Sequence, residues 1–171
     1  MAKFLLALDQ STQTTGYAVF KDRELIAVGH ISPSGNDYMK RIVKTRNWLE
    51  RIIATLDGEV EVVLEDIQLQ ELEPNGTKKF AKNMGVDVFK KLAHVQGALI
   101  SLLEEKNIKY TVVVASSWKK TCKITGIHRN EQKKSAQAFV LNNYNKKATQ
   151  DEADAICIGH HHLKNVGLDW S

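Results

Sequence analysis

Short apolar runs alternate along this chain with longer stretches in which apolar residues recur every three or four positions. Runs of the first kind, bounded by polar or turn-forming residues, are typical of β-strands. They predict strands at Phe4–Leu8, Tyr17–Phe20, Leu25–Ile31, Val60–Glu65 and Tyr110–Ala115. The second pattern is typical of amphipathic helices. It predicts helices over Asp37–Leu56, Val86–Lys106, Asn130–Asn143 and Asp151–Leu163.

The order of these elements indicates the fold class. Three strands come first, a helix and a strand then follow twice, and the chain continues into the last two helices. Strands joined by tight turns pair antiparallel, whereas strands joined through a helix can pair in parallel. We therefore predict an α/β fold with a mixed five-stranded sheet and helices on both of its faces.

A polar segment interrupts this pattern after the fourth strand. It extends from Gln68 to Asn83 and contains Pro74 and Gly76, so that we predict a long loop there. A loop of this length inside a compact domain is usually functional.

Length and composition are ordinary for one globular domain. The chain has 171 residues, of which 43% are hydrophobic and 26% charged, and we expect a single domain over residues 1–171. No secretory segment or apolar stretch of about 20 residues is visible. We therefore expect a cytoplasmic protein that makes no use of a membrane. Its two cysteines, Cys122 and Cys157, are expected to be packed thiols.

Positive charge is concentrated in one part of the chain. The formal net charge is +4, but between Ala115 and Ala148 eight Lys or Arg residues accompany a single acid, Glu131. Such a block favours a polyanionic partner, nucleic acid above all, although a solvated basic face has the same composition. The candidate DNA-binding residues in this block are Lys119, Lys120, Lys123, Arg129, Lys133 and Lys134. Further candidates flank the predicted loop: Lys78, Lys79, Lys82 and Phe80.

Four acidic residues form the candidate catalytic set. Asp9 and Glu65 end the first and fourth strands, and Asp151 and Asp154 share a face of the last helix. Each also has a purely structural interpretation: a turn cap, an exposed strand end, or an acid in a first helical turn that Thr149 caps. If the two strands are neighbours and the helix packs beside them, the carboxylates converge. Converging carboxylates repel unless cations hold them, and oxygen ligands select Mg²⁺ or Mn²⁺.

Such a cluster suits phosphodiester hydrolysis. Two ions about 4 Å apart can activate a water and stabilise the leaving oxygen, while the neighbouring lysines hold phosphates.

Four segments, taken together, resemble the RuvC family of Holliday junction resolvases within the ribonuclease H-like superfamily. They are ALDQSTQTTGYAV, VVLEDI, AHVQGAL and DEADAICIGHH, and they extend over essentially the whole chain. Within that family the sequence is most similar to the RuvC-like resolvases of lactococcal phages. The resemblance implies a homodimer that makes paired, Mg²⁺-dependent nicks across a four-way DNA junction. It also implies metal ligation and catalysis by Asp9, Glu65, Asp151 and Asp154, with two ions per site and Mn²⁺ as a substitute.

The sequence departs from the family pattern in three places. Gln10 and Ser11 follow Asp9, where bacterial members usually have Pro and Gly. Ile67 and Gln68 stand where those members carry an aromatic residue, which leaves Phe80 as a candidate for stacking on a base. Lys119 matches one basic position of the family, and either Lys133 or Lys134 serves as the second. We expect these changes to affect base specificity more than chemistry.

The dimer implied by the resemblance needs an apolar face. The helix Val86–Lys106 offers one formed by Val86, Phe89, Leu92, Ala93, Gln96, Ile100 and Leu103. The alternative is that this face is buried within the monomer.

Some features of the sequence favour functions other than a nuclease. The triplet His160–His162 suggests zinc, but adjacent helical residues point in different directions and cannot share one site. The first motif also resembles the phosphate motif of actin-like sugar kinases, although no second phosphate loop is visible. A non-catalytic module for branched DNA is a third possibility. Trp118 either stacks on a base or packs in the core.

Overall fold

The computed structural model describes residues 1–68 and 79–166, and for residues 79–84 it describes only the helical backbone. Five strands form one sheet: β1 (Lys3–Asp9), β2 (Thr15–Lys21), β3 (Glu24–Ile31), β4 (Glu59–Glu65) and β5 (Lys109–Val113). Their spatial order is β3-β2-β1-β4-β5. β1 pairs antiparallel with β2 and parallel with β4, whereas β3 is antiparallel to β2 and β5 is parallel to β4. The prediction of a mixed five-stranded sheet is confirmed.

Five helices are described: α1 (Tyr38–Ala54), α2 (Lys79–Glu105), α3 (Ala115–Thr121), α4 (Arg129–Tyr144) and α5 (Gln150–Asn165). Two predictions were wrong in detail. The predicted loop does not extend to Asn83, because α2 begins at Lys79 and no Pro or Gly interrupts residues 79–83. The fifth strand ends at Val113 instead of Ala115, because Ala115 opens α3, which is too short to show a helical period. The remainder of the predicted loop, residues 69–78, lies outside the described part of the chain.

Side chains of the central strands alternate between two cores, as the pleat of a strand requires. Leu5 and Ala7 of β1 face the layer of α3, α4 and α5. Leu6 and Leu8 face the opposite layer, formed by α1 and α2. Helices therefore cover both faces, as predicted. The alternation also assigns Asp9 and Glu65, which continue the series of Ala7 and Val63, to the α5 face.

Helix α5 lies close to the sheet because the helix residue that faces the strands at their contact is a glycine, Gly159. A Cβ on Gly159 would come within 2.3 Å of the Phe20 ring and 3.1 Å of the Ala7 Cβ. The N-terminus of α5 is capped by Thr149, whose side chain accepts from the Glu152 N–H, while Glu152 in turn pairs with His30 on β3 at 3.0 Å. These contacts fix where the N-terminal end of α5, which carries Asp151 and Asp154, stands over the strands.

The predicted dimer face of α2 needs one correction. Leu103 is fully buried in the core between α1, α2 and the sheet, so it cannot form part of an interface. Ile100 packs partly against the same core. The core side of α2 is formed by Val95, Leu99, Leu102 and Leu103, and it lies about one residue round the helix from the predicted face.

Both cysteines are buried free thiols, as predicted. The Cys122 thiol donates to the backbone oxygen of Cys157 at 3.6 Å. Among the helices in the described ranges, none is long and apolar enough to cross a membrane.

Candidate active site

The four predicted acidic residues meet at one end of the sheet. Leu8 of β1 is paired with Leu64 of β4, so that Asp9 and Glu65 come next in register on neighbouring strands. Both lie on the α5 face. On the other side of β1, Asp9 is paired with Gly16 of β2, and a Cβ on Gly16 would lie 2.1 Å from the backbone oxygen of Asp151. The glycine thus admits the first turn of α5 beside Asp9.

The electrostatics of Asp9 show how closely the acidic residues act on one another. Burial raises the pKa of Asp9 well above its ordinary value, and the charges of Asp154, Glu65 and Asp151 raise it further, in that order. The guanidinium of Arg129 opposes this shift only in part. A buried carboxylate is costly without a positive partner. The site therefore carries negative charge that the protein itself does not neutralise.

Asp154 and Glu65, which are half-buried, show the same excess of negative charge. Burial, followed by the charge of Glu65, raises the pKa of Asp154 to about 7, and Lys119 and Lys133 lower it in part. The pKa of Glu65 is also raised by burial, and a hydrogen bond from Trp118, then Lys119, oppose that shift. Lys119, Arg129 and Lys133 consequently lie within electrostatic range of the carboxylates.

Three basic residues of the predicted block, Lys119, Arg129 and Lys133, border this site. Lys119 donates to Oε1 of Gln132 at 3.1 Å, and its Nζ lies 5.6 Å from the centroid of the Trp118 ring. Lys133 is half-buried and acts on Asp154, whereas Lys134 is exposed and is not among the charges that shift the pKa of Asp9, Glu65 or Asp154. Of the two alternatives for the second basic position, Lys133 is the one near the carboxylates. Lys120, Lys123 and Arg129 are exposed.

Several predicted DNA contacts cannot be placed. Lys78 lies outside the described residues, as do the side chains of Lys79, Phe80 and Lys82. Their assignment as DNA-binding or stacking residues stays a prediction.

The donor chemistry of the cluster suits a hard divalent cation. Carboxylate oxygens are the ligands that Mg²⁺ and Mn²⁺ prefer, and their uncompensated negative charge would be relieved by such an ion. Within the described ranges, however, no three His, Cys, Asp or Glu side chains already form a group that could hold a metal. The residues fit the ion in type and charge.

Two contacts to Glu65 were not foreseen from the sequence. Trp118 is only 2% exposed, so it packs in the core and does not stack on a base. Its indole N–H donates to Oε2 of Glu65 at 3.1 Å. The side chain of Gln10 bonds to the backbone of Glu65 through both of its amide atoms. The only signal was a polar residue directly after Asp9 and a Trp beside Lys119.

The three adjacent histidines have three different neighbours, as their directions on a helix require. His160 Nδ1 lies 2.6 Å from the Tyr144 hydroxyl, and His161 Nδ1 lies 2.6 Å from the Thr121 hydroxyl. His162 contacts Glu61 through Nε2 at 2.9 Å. They are side chains of the α3–α5 layer that bind separate partners.

Two solved structures resemble this fold over nearly its whole length. Thermus thermophilus RuvC in complex with a Holliday junction substrate has a TM-score of 0.67 at 13% sequence identity, covering 94% of this chain and 92% of that one. A second structure of Thermus thermophilus RuvC has a TM-score of 0.65 at 13% identity, with coverages of 94% and 93%. No family model and no curated protein matches the chain. The likeness confirms the predicted ribonuclease H-like fold.

Proposed function

We propose that this chain is a structure-selective DNA endonuclease that cuts four-way junctions, and other branched DNA, by metal-assisted hydrolysis of a phosphodiester. One observation carries the proposal: Asp9, Glu65 and Asp154 form a half-buried, under-neutralised acidic cluster where two strand ends meet α5. Lysine and arginine side chains border this cluster, and the fold is that of a protein whose structure was solved with a Holliday junction. Lactococcal phage resolvases are the members of that family which we propose as its nearest functional counterparts.

Asp9, Glu65, Asp151 and Asp154 would hold two Mg²⁺ ions, for which Mn²⁺ can substitute. When bound, these ions supply an activated water and stabilise the leaving oxygen of the phosphodiester. The protein's own groups do the rest. Lys119, Arg129 and Lys133 bind the phosphates that flank the scissile bond, and the buried strand ends hold the carboxylates in a fixed arrangement beside them.

The active unit that we propose is a two-fold dimer. A four-way junction has approximate two-fold symmetry, and its resolution needs cuts in two opposed strands, whereas one chain carries one acidic cluster. Two copies related by a dyad present two clusters with the symmetry of the junction. The proposed interface is the half-buried face of α2 formed by Val86, Phe89, Leu92, Ala93, Gln96 and Ile100.

A cleavage assay on a mobile and a fixed four-way junction tests the nuclease proposal. Paired nicks are expected with Mg²⁺ or Mn²⁺, and binding with little or no cutting is expected with Ca²⁺. A linear duplex of the same sequence is the control for structure selectivity. Tight junction binding without cleavage under any of these ions would favour the non-catalytic DNA-binding module instead.

Sedimentation together with nicking of a supercoiled cruciform tests the dimer separately. Coupled cuts within one binding event are expected from a dimer. A monomer that makes uncoupled nicks, both free and on the junction, would reject the dimer but leave the nuclease standing.

A further inference from the structure

We infer that Gln10 and Trp118 are positioning residues, which hold the backbone and one carboxylate oxygen of Glu65 so that its other oxygen is presented to a cation. The inference rests on the proposed function in one respect, namely that Glu65 is a metal ligand. It concerns this chain's own residues, since Gln10 replaces the proline that bacterial RuvC sequences usually carry after the first aspartate.

The backbone of Glu65 is held by the Gln10 side chain. Nε2 of Gln10 donates to the Glu65 carbonyl oxygen at 2.6 Å, and the Glu65 N–H donates back to Oε1 of Gln10 at 3.3 Å. The last main-chain pair of β1 and β4 is Leu8 with Leu64. The side-chain amide of Gln10 thus replaces the next pair of main-chain hydrogen bonds between β1 and β4, at the end of β1.

This amide fixes the spacing of two catalytic candidates at once. Gln10 directly follows Asp9, and its bonds attach that position to Glu65 on the neighbouring strand. On the far side of β4, the Asp66 N–H donates to the Val113 carbonyl oxygen at 2.8 Å and anchors the same strand end to β5. Gln10 is only 7% exposed, so water competes little for these bonds.

The carboxylate of Glu65 is held by Trp118. The indole N–H is a donor only, and it contacts Oε2 at 3.1 Å, which leaves Oε1 without any such neutral donor in the described contacts. A lysine or arginine in this position would also orient the carboxylate, but it would cancel the charge that attracts a cation. A neutral N–H orients the group and leaves the negative charge in place.

Trp118→Phe and Gln10→Leu test the inference, because each removes the hydrogen bonds of its side chain. Gln10→Leu nearly preserves side-chain volume, whereas Trp118→Phe keeps an aromatic ring but is smaller, so its effect is judged against a control with the same loss of volume. The measurement is the Mn²⁺ dissociation constant by titration calorimetry, on the full chain without DNA. We expect each substitution to weaken Mn²⁺ binding by about 10- to 100-fold, the usual cost of losing an outer-shell partner. Trp48→Phe is the matched control and should leave the constant unchanged, since Trp48 lies on α1 in the other layer and packs there against Tyr17 of β2.

A double substitution separates positioning from general destabilisation. In a Glu65→Gln background, Trp118→Phe should change Mn²⁺ affinity by less than about twofold, because the group through which Trp118 acts is gone. Melting curves of each variant show that the comparison is made between folded proteins. An equal loss of affinity in both backgrounds would overturn the inference, as would an unchanged dissociation constant for Trp118→Phe.

A measurement on the unsubstituted protein covers the case in which a variant fails to fold. The indole N–H resonance of Trp118 should shift as Mg²⁺ is added, because its acceptor carboxylate becomes a ligand. An unmoved resonance under saturating Mg²⁺, or a chain that binds no divalent cation, would overturn the inference. A chain that binds Mn²⁺ as expected but cuts no junction would reject the proposed nuclease function and leave the positioning of Glu65 supported.

Discussion

Strand β4 has three glutamates on one face, of which Glu59 at its start is exposed. The other two, Glu61 and Glu65, lie at the two ends of the contact with α5 and have opposite surroundings. At one end Glu61 is 5% exposed and well partnered. It accepts from Nε2 of His162 at 2.9 Å, and Nζ of Lys109 lies 3.4 Å from its other oxygen. At the other end Glu65 stands among Asp9, Asp151 and Asp154, with a neutral indole as its direct side-chain partner.

This difference indicates that Glu61 stabilises the fold, whereas Glu65 belongs to the candidate active site. A buried carboxylate costs stability unless it is paired and hydrogen-bonded. The Glu61 end meets that condition within the chain. At the other end the desolvation of the carboxylates, on the order of several kcal/mol, is not offset by any partner charge within the cluster. A cation that binds there when the protein works would supply the missing charge.

The largest expected effect distinguishes the two glutamates by the same substitution. Glu65→Gln should abolish junction cleavage, by more than the roughly 10- to 100-fold that loss of an outer-shell partner causes, while binding in Ca²⁺ is retained. Asp9→Asn and Asp154→Asn should behave alike. Glu61→Gln is the matched control: its amide oxygen still accepts from His162, and cleavage per folded molecule should stay at the wild-type rate. Rapid cleavage by Asp9→Asn under Mg²⁺ would disprove the metal assignment.

The next effect concerns stability, and its sign should differ between the ends. Glu61→Ala leaves the buried His162 N–H without its acceptor and should lower the free energy of unfolding by about 1–3 kcal/mol. Burial raises the pKa of Asp154 to about 7, so at pH 8 without metal its carboxylate is ionised at a cost in stability. Asp154→Asn removes this charge and should raise the free energy of unfolding by about 1 kcal/mol or more. Urea denaturation of both variants measures the two changes. A loss of stability in Asp154→Asn would show that the cluster is already compensated.

How far the sequence predicted this arrangement depended on the range of the interaction. Strands and helices follow from local periodicity, and the convergence of Asp9 with Glu65 needed only the assumption that their strands are neighbours. No local pattern distinguishes Glu61, because its partner His162 lies 101 positions away. Gln10 and Trp118 likewise reach Glu65 across 55 and 53 positions. Such pairs depend on tertiary register, which no local pattern contains.

The pH dependence of stability should separate the ends once more. Burial lowers the pKa of His160, His161 and His162, so the unfolded chain binds protons more tightly than the folded one. The stability that depends on these neutral histidines is fully present above about pH 6.5, the ordinary histidine pKa. It is lost as the pH falls through their lowered pKa values in the folded protein.

The acidic end titrates in the opposite sense, since raised pKa values of Asp9 and Asp154 add stability as the pH falls. An Asp9→Asn, Asp154→Asn double variant removes two of the three raised carboxylates and leaves only Glu65 to oppose the histidines. Its melting temperature in EDTA should fall by several degrees between pH 7.5 and 5.5, more steeply than that of the wild type. A flat profile in the double variant would mean that the three imidazoles are not held neutral by the fold.

The smallest expected effect distinguishes the lysines at the two ends. Lys119 and Lys133 border the acidic cluster, whereas Lys109 is largely exposed beside Glu61. If the first two contact phosphates, Lys119→Ala and Lys133→Ala should each weaken binding of all DNA and reduce the slope of log affinity against log salt by about one. The measurement is junction binding in Ca²⁺ over a series of salt concentrations. Lys109→Ala, which also removes a lysine beside a carboxylate, should leave the slope as it is, because a lysine at the far end of α5 meets no phosphate when the acidic end is at the junction. Equal slopes for all three variants and the wild type would assign Lys119 and Lys133 to a solvated face. The acidic end of the sheet would then not be the end that binds DNA.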